Sequence, residues 1–269
     1  MAQHVEGKLY YERMGRMGPV MAFVHPNPMD QSCWMFQMAH LSTWYRCIAI
    51  DIPGYGRSPK ATAGLTTGDM AAACWEAIDD AVPGATAILV GCSVGSSILP
   101  YMYHQRADKT AALILSGTGY TPGKEFAKRR IDAYTVNGIN YRWAYTFEDF
   151  SAAFRTTHLA QFFADLFTER NATADLPSIL RQFQALQQPE PDGHFARIAC
   201  PTTILSGSED ITHQAAFTLR ALIPGCELKV LPGAGHACHI EQPWLFNRFM
   251  IEFLARHGLF PGAAKSAHG

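Results

Sequence analysis

The run Gly91-Cys92-Ser93-Val94-Gly95 constrains this chain more than any other feature. It follows the apolar stretch Ala87-Ile88-Leu89-Val90 and leads into a segment with Ile98, Leu99 and Met102 on one helical face. A buried strand, a sharp turn and a helix are expected in that order, with the serine at the apex. The flanking glycines have a steric reason to be there. A turn this tight forces the serine into a strained backbone conformation, and side chains two residues to either side would collide.

Other short apolar runs share the strand pattern: Val20–Val24, Cys47–Ile50, Leu113–Leu115, Thr203–Leu205 and Leu228–Leu231. Near-continuous apolar strands imply burial on both faces, hence a mainly parallel sheet covered by helices. Helical periodicity is expected over Thr67–Ala81, Val94–Gln105, Gln214–Ile223 and Pro243–His257. The opening segment, Val5 to Arg13, is expected to form an antiparallel hairpin turning at Gly7. The alternation stops between Tyr120 and Phe195, a stretch rich in aromatic residues that is too long for a loop in a compact domain. The expected organisation is a core over residues 1–119 and 196–258, a helical insertion over 120–195, and a flexible tail over 259–269.

The chain has 269 residues, 48% of them hydrophobic, enough for one sizeable domain with an inserted subdomain. A net charge of −1 argues against a nucleic-acid or anionic-lipid partner and leaves a small molecule as the expected one. The polar N-terminal residues and the lack of a long apolar run point to a cytoplasmic protein with no membrane contact. The cysteines at 33, 47, 74, 92, 200, 226 and 238 are scattered and unpaired in spacing, as expected of reduced core residues.

A serine hydroxyl attacks a carbonyl only with help. It needs a base for its proton, a carboxylate to orient that base, and donors for the oxyanion. Ser93 is the candidate nucleophile. His236, in the glycine-rich turn Pro232-Gly233-Ala234-Gly235-His236, is the candidate base, with His239 as its competitor. Asp210, after the strand Thr203–Leu205, is the candidate acid, with Glu209 as its local rival. Val94 supplies one candidate oxyanion donor through its main chain. The loop His25-Pro26-Asn27-Pro28 supplies the other, and since proline has no N–H, Asn27 is the donor between the two prolines. This chemistry calls for no cofactor and no metal.

Four motifs together resemble the α/β-hydrolases: Gly91-Cys92-Ser93-Val94-Gly95, Asp51-Ile52-Pro53-Gly54-Tyr55-Gly56-Arg57-Ser58, Gly207-Ser208-Glu209-Asp210 and Gly233-Ala234-Gly235-His236. The resemblance covers residues 4 to 257. It implies an α/β fold with a mainly parallel eight-stranded sheet, flanking helices and an inserted helical cap. Some members carry the acid one strand earlier. Here that position reads Ser116-Gly117, without a carboxylate, which favours Asp210. Two positions depart from the family pattern: His25-Pro26 stands where His-Gly is usual, and Ser96 where a second glycine often follows.

The loop from His25 to Pro28, with Trp34, also resembles that of haloalkane dehalogenases. Those relatives use an aspartate nucleophile, whereas this chain has Ser93, so an acyl-enzyme is expected rather than an alkyl ester. His25 and Trp34, with Tyr141 and Trp143 of the insertion, are the candidate substrate contacts. Most of the other cap aromatics are expected to form the cap's own core. The expected activity is hydrolysis of a small, largely apolar carboxylic ester or lactone. The alternatives are carbon–carbon bond hydrolysis of aromatic ring-cleavage products, which would want a cap arginine (Arg129, Arg130, Arg142 or Arg155) for the substrate carboxylate, and a hydrolase-like small-molecule receptor.

Overall fold

The computed structural model describes residues 3–118 and 125–262. Seven strands form one sheet: β1 (Tyr11–Met14), β2 (Val20–Val24), β3 (Arg46–Ile50), β4 (Ala87–Cys92), β5 (Thr110–Ser116), β6 (Thr202–Gly207) and β7 (Glu227–Leu231). Their order is β1-β3-β2-β4-β5-β6-β7, with β1 antiparallel to β3 and the rest parallel. The expected eighth strand is missing among the described residues. Val5 turns away from β1 and bridges Ala61, with Glu6 N–H on the Lys60 carbonyl and Thr62 N–H on that of His4. The expected hairpin at Gly7 is therefore not formed, because the N-terminal segment finds its partner in the 60–62 loop.

The apolar strands feed two cores. On β2, Val20, Ala22 and Val24 face one layer and Met21 and Phe23 the other. On β4, Leu89 and Val90 divide in the same way. This is the two-residue period of a strand buried on both sides. Helix α1 (Met35–Leu41) lies on one face. Helices α2 (Thr67–Ala81) and α3 (Val94–Gln105) pack together on the other, and α2 opens on a capping box between Thr66 and Asp69.

Between β5 and β6 the described chain forms α4 (Glu125–Asn137), α5 (Tyr141–Glu148), α6 (His158–Arg170) and α7 (Leu176–Gln187). Among these helices α4 packs on α7 and α5 on α6. Tyr134, Tyr145, Phe163, Phe167 and Phe183 are fully buried there, each worth roughly 1.5–3 kcal/mol if wholly withdrawn from water. The residues after β6 add α8 (His213–Leu222), α9 (Cys238–Glu241) and α10 (Pro243–Arg256). The expected tail is docked as far as it is described: Tyr45 donates to the Leu259 carbonyl at 2.8 Å, and Phe260 packs on Trp44. Residues 263–269, and Tyr120 at the expected start of the cap, lie outside the described residues.

Parallel pairing aligns the carboxyl ends of the strands. Val24 stands beside Ile50 and Gly91, Cys92 beside Ser116, and Gly207 beside Leu231. His25, Asp51, Ser93, Gly117, Ser208 and Pro232 therefore all emerge along one edge. The strand order reverses between β2 and β4, where such a sheet opens a crevice.

Candidate active site

Ser93 sits in that crevice, between β4 and α3. Its backbone is at φ 54° and ψ −116°, and it is the one non-glycine residue with positive φ among those described. The turn leaves no room for a side chain two residues to either side. A Cβ on Gly95 would stand 2.1 Å from the Val24 carbonyl oxygen, and one on Gly91 2.7 Å from the Gly95 carbonyl carbon. The Ser93 N–H donates to the Ser116 carbonyl at 2.9 Å, tying the apex to the end of β5.

His236 lies across the neighbouring strand ends. Its Nδ1 is 2.8 Å from Asp210 Oδ1, and that oxygen also accepts the N–H and hydroxyl of Thr212. Burial pushes the Asp210 carboxyl up, but the His236 charge and these hydrogen bonds hold it below its ordinary value. Burial pushes His236 down, and the charges of Asp210 and Asp149 overcome this and raise it to about 9. Gly117 is needed beneath the imidazole, since a Cβ there would approach Cε1 to 2.9 Å. Ser93 Oγ and His236 Nε2 are both buried without a hydrogen bond. The structure thus joins His236 to Asp210, and no hydrogen bond links Ser93 to His236.

The two rivals have other environments. His239 is buried, packed on Trp34 with ring centres 4.4 Å apart, and burial pushes it down to about 3. Glu209 points to the cap and accepts the N–H of Ala152 at 3.1 Å. That contact belongs to a clasp. Glu241 Oε1 accepts the N–H of Gly235 at 2.9 Å and that of Ser151 at 3.2 Å, while the Asp149 carbonyl accepts the N–H of Ala237 at 3.1 Å. The cap turn from Asp149 to Ala152 therefore grips the loops of both Asp210 and His236.

Asn27 is buried, and both ends of its side-chain amide are engaged. Its amide nitrogen donates to Tyr55 Oη, and its carbonyl oxygen accepts from Tyr134 Oη at 2.8 Å. Asp51 organises this loop, accepting the N–H groups of Gln31 and Arg57. A Cβ on Gly56 would meet the Asp51 carboxylate at 2.0 Å, which explains that glycine in the Asp51–Ser58 motif.

A cleft of ≈ 660 Å³, measured out to its mouth, opens at Ser93 and Val94. Ser96, Pro100 and Tyr101 of α3, Phe126 and Ala127 of α4, and Leu186 and Phe195 complete most of its wall. The four candidate substrate contacts lie elsewhere. His25 is spent within its own loop, donating from Nδ1 to the Pro26 carbonyl and accepting the Ile52 N–H on Nε2, and burial holds it down at about 4. Trp34 is a core residue packed on Phe23, His239 and Phe246. Tyr141 bonds Arg130 and Glu148, and Trp143 stacks on Phe147 while donating to Asp165 at 2.8 Å. These aromatics serve packing within the cap or core rather than the cleft.

Asp149 had no signal in the sequence. It follows α5 directly, with both carboxylate oxygens buried and without a hydrogen bond, and Arg130 Nη2 lies 3.7 Å from its Oδ1. Burial raises it, against the pull of His236 and Arg130, to about 7.

The model of the alpha/beta hydrolase family matches residues 21–246, most of the chain. The chain belongs to the alpha/beta hydrolase family. Among relatives of this hydrolase is the dihydrolipoyllysine-residue acetyltransferase component of the acetoin cleaving system of Pseudomonas putida, 26% identical over 264 residues, spanning 94% of this chain and 68% of that protein. In fold it is similar to a thermophilic esterase from Thermogutta terrifontis (TM-score 0.78, 23% identity, 93% of each chain). It is also similar to the enol-lactonase of Burkholderia xenovorans LB400 (TM-score 0.80, 21% identity, 93% of this chain and 98% of that one). Among the described residues, no helix of this hydrolase is long and apolar enough to cross a membrane, and no cluster of metal-ligating side chains occurs.

Proposed function

We propose that this hydrolase cleaves a small, largely apolar carboxylic ester or lactone through a Ser93-His236-Asp210 triad. The observation that carries the reading is Ser93 held at positive φ beside a buried His236–Asp210 pair. In the proposed cycle Ser93 Oγ attacks the carbonyl carbon and gives its proton to His236 Nε2. The N–H groups of Asn27 and Val94 take the oxyanion. The alcohol leaves with the proton from His236, and water then attacks the acyl-enzyme, releasing the acid and restoring Ser93.

The commitments of three of the four cap arginines favour this reading over carbon–carbon bond hydrolysis. Arg130 is paired with Glu148 and Asp149 and lies 3.4 Å over the Tyr145 ring. Arg142 donates to the carbonyls of Thr168 and Ile139, and Arg155 to those of Phe150 and Glu148. The cleft wall, with Phe126, Ala127, Leu186 and Phe195, suits an uncharged acyl group. We place the protein in the cytoplasm, a reading supported by seven cysteines that are all free.

A fluorophosphonate probe and an ester and lactone panel test the proposal. Single labelling on the Ser93 peptide and turnover of short aryl esters or lactones are expected. Labelling elsewhere, or cleavage confined to a vinylogous 1,5-diketone, would replace it.

A further inference from the structure

Ser96 is the position where the chain departs from the glycine often found after this turn, and its hydroxyl has no use in the cycle above. It is the third residue of α3 and lines the same cleft as Ser93. It is 3% exposed, and its Oγ makes no hydrogen bond. Its neighbours are otherwise committed. Ser97 donates to the Ser93 carbonyl at 3.3 Å and Thr67 to the Ala185 carbonyl at 3.5 Å. Thr118, Glu190 and His194 are each engaged in interactions of their own. Among the described cleft residues, Ser93 and Ser96 are the two with buried hydroxyls left without a partner. A buried hydroxyl in that state is costly unless something in the cleft completes it.

The side of the substrate that meets Ser96 follows from where the leaving group must go. The alcohol takes its proton from His236, so it sits on the His236 side of Ser93. The cleft is built along α3; Phe126 of its wall has its ring centre 6.3 Å from that of His236, while His236 and Asp210 themselves are not in the wall. The acyl part is the group assigned to it. Ser96 follows Ser93 by three residues and lines the same cleft, so a group bonded to Ser96 while its carbonyl is on Ser93 belongs to the part of the acyl group next to that carbonyl.

We propose that Ser96 is a specificity-determining residue that hydrogen-bonds an oxygen or nitrogen at the α or β position of the acyl group. The preferred substrates are then esters or lactones with an ether, hydroxyl, oxo or amide function there, in an otherwise apolar acyl chain. This rests on the serine-esterase reading of the site.

The test compares two esters of nearly equal size, p-nitrophenyl methoxyacetate and p-nitrophenyl butanoate, in wild type, Ser96→Ala and Ser96→Gly. The ratio of their kcat/KM values in wild type is divided by the ratio in the variant, which cancels the esters' intrinsic reactivities. A drop of about three- to tenfold in the ratio is expected in both variants, the range of one neutral hydrogen bond. The Tm of Ser96→Ala should be held or improved, because an unsatisfied hydroxyl has been removed. An unchanged ratio with both esters still cleaved at Ser93 overturns the role of Ser96 alone. If wild type cleaves neither ester and the probe does not label Ser93, the esterase reading falls, and this one with it.

Discussion

His236 presents Nδ1 to Asp210 Oδ1 at 2.8 Å, and both side chains are sealed from solvent. The carboxylate spends the same oxygen on the N–H and hydroxyl of Thr212, so its orientation is set before the imidazole arrives. Asp210→Asn should therefore lower kcat by about 10⁴-fold, because the amide favours the wrong imidazole tautomer. Glu209→Gln should change it little, since a glutamine carbonyl can still accept the Ala152 N–H. Steady-state kinetics on the two variants check the ranking, and the reverse order would remove Asp210 from the proposed triad.

The backbone of Ser93 stores strain that the hydroxyl does not relieve. Ser93→Ala should cost at least about 10³-fold in kcat with the fold intact. Ser93→Gly should be equally inactive, yet more stable than Ser93→Ala by about 1–3 kcal/mol, because glycine accepts positive φ without penalty. Urea denaturation of the pair measures the difference. Equal stabilities would mean that the turn is not strained.

The pH dependence should report on Asp149. The groups that act most on His236 are Asp210, Asp149 and Arg130, and Asp149 is in turn acted on by Arg130, Asp210 and Glu148. Two carboxylates raise His236, so the acidic limb of kcat/KM should lie above the ordinary histidine value of about 6.5. Asp149→Asn removes one negative neighbour of the imidazolium. The proton then leaves more easily, and the limb should move to lower pH. A limb that stays in place would show that Asp149 does not act on the base.

Asn27 should matter more to stability than to chemistry. Asn27→Ala keeps the main-chain N–H but strips Tyr55 and Tyr134 of a buried partner. A loss of about 1–3 kcal/mol in unfolding free energy is expected, with kcat reduced by less than about 10²-fold. A larger fall in kcat at unchanged stability would make the side-chain amide the oxyanion donor.

Much of the core could be read along the chain because local rules dominate there. Apolar runs of strand length, the glycines around Ser93 and the capping residues before Thr67 act over a few residues, and α2 and α3 occupy the segments their periodicity marks. Ser93, Asp210 and His236 each follow a strand end, so parallel pairing was enough to gather them. The cleft wall was not legible in this way. Trp143 and Phe126 are both aromatic residues on cap helices, and only the packing of α4 over the crevice turns Phe126 inward while Trp143 stacks on Phe147. His25 carries a titratable ring beside the candidate oxyanion loop, yet its nitrogens are consumed by Pro26 and Ile52, the latter 27 positions away. The role of Asp149 depends on Ala237, Arg130 and His236, which no local pattern connects to it. The sequence by itself determined the six parallel strands, the strained turn and the order of the triad candidates, since these follow from sterics and burial within each segment. Only the tertiary structure decided what faces the cleft and what surrounds the base, since those depend on contacts between segments far apart in the chain.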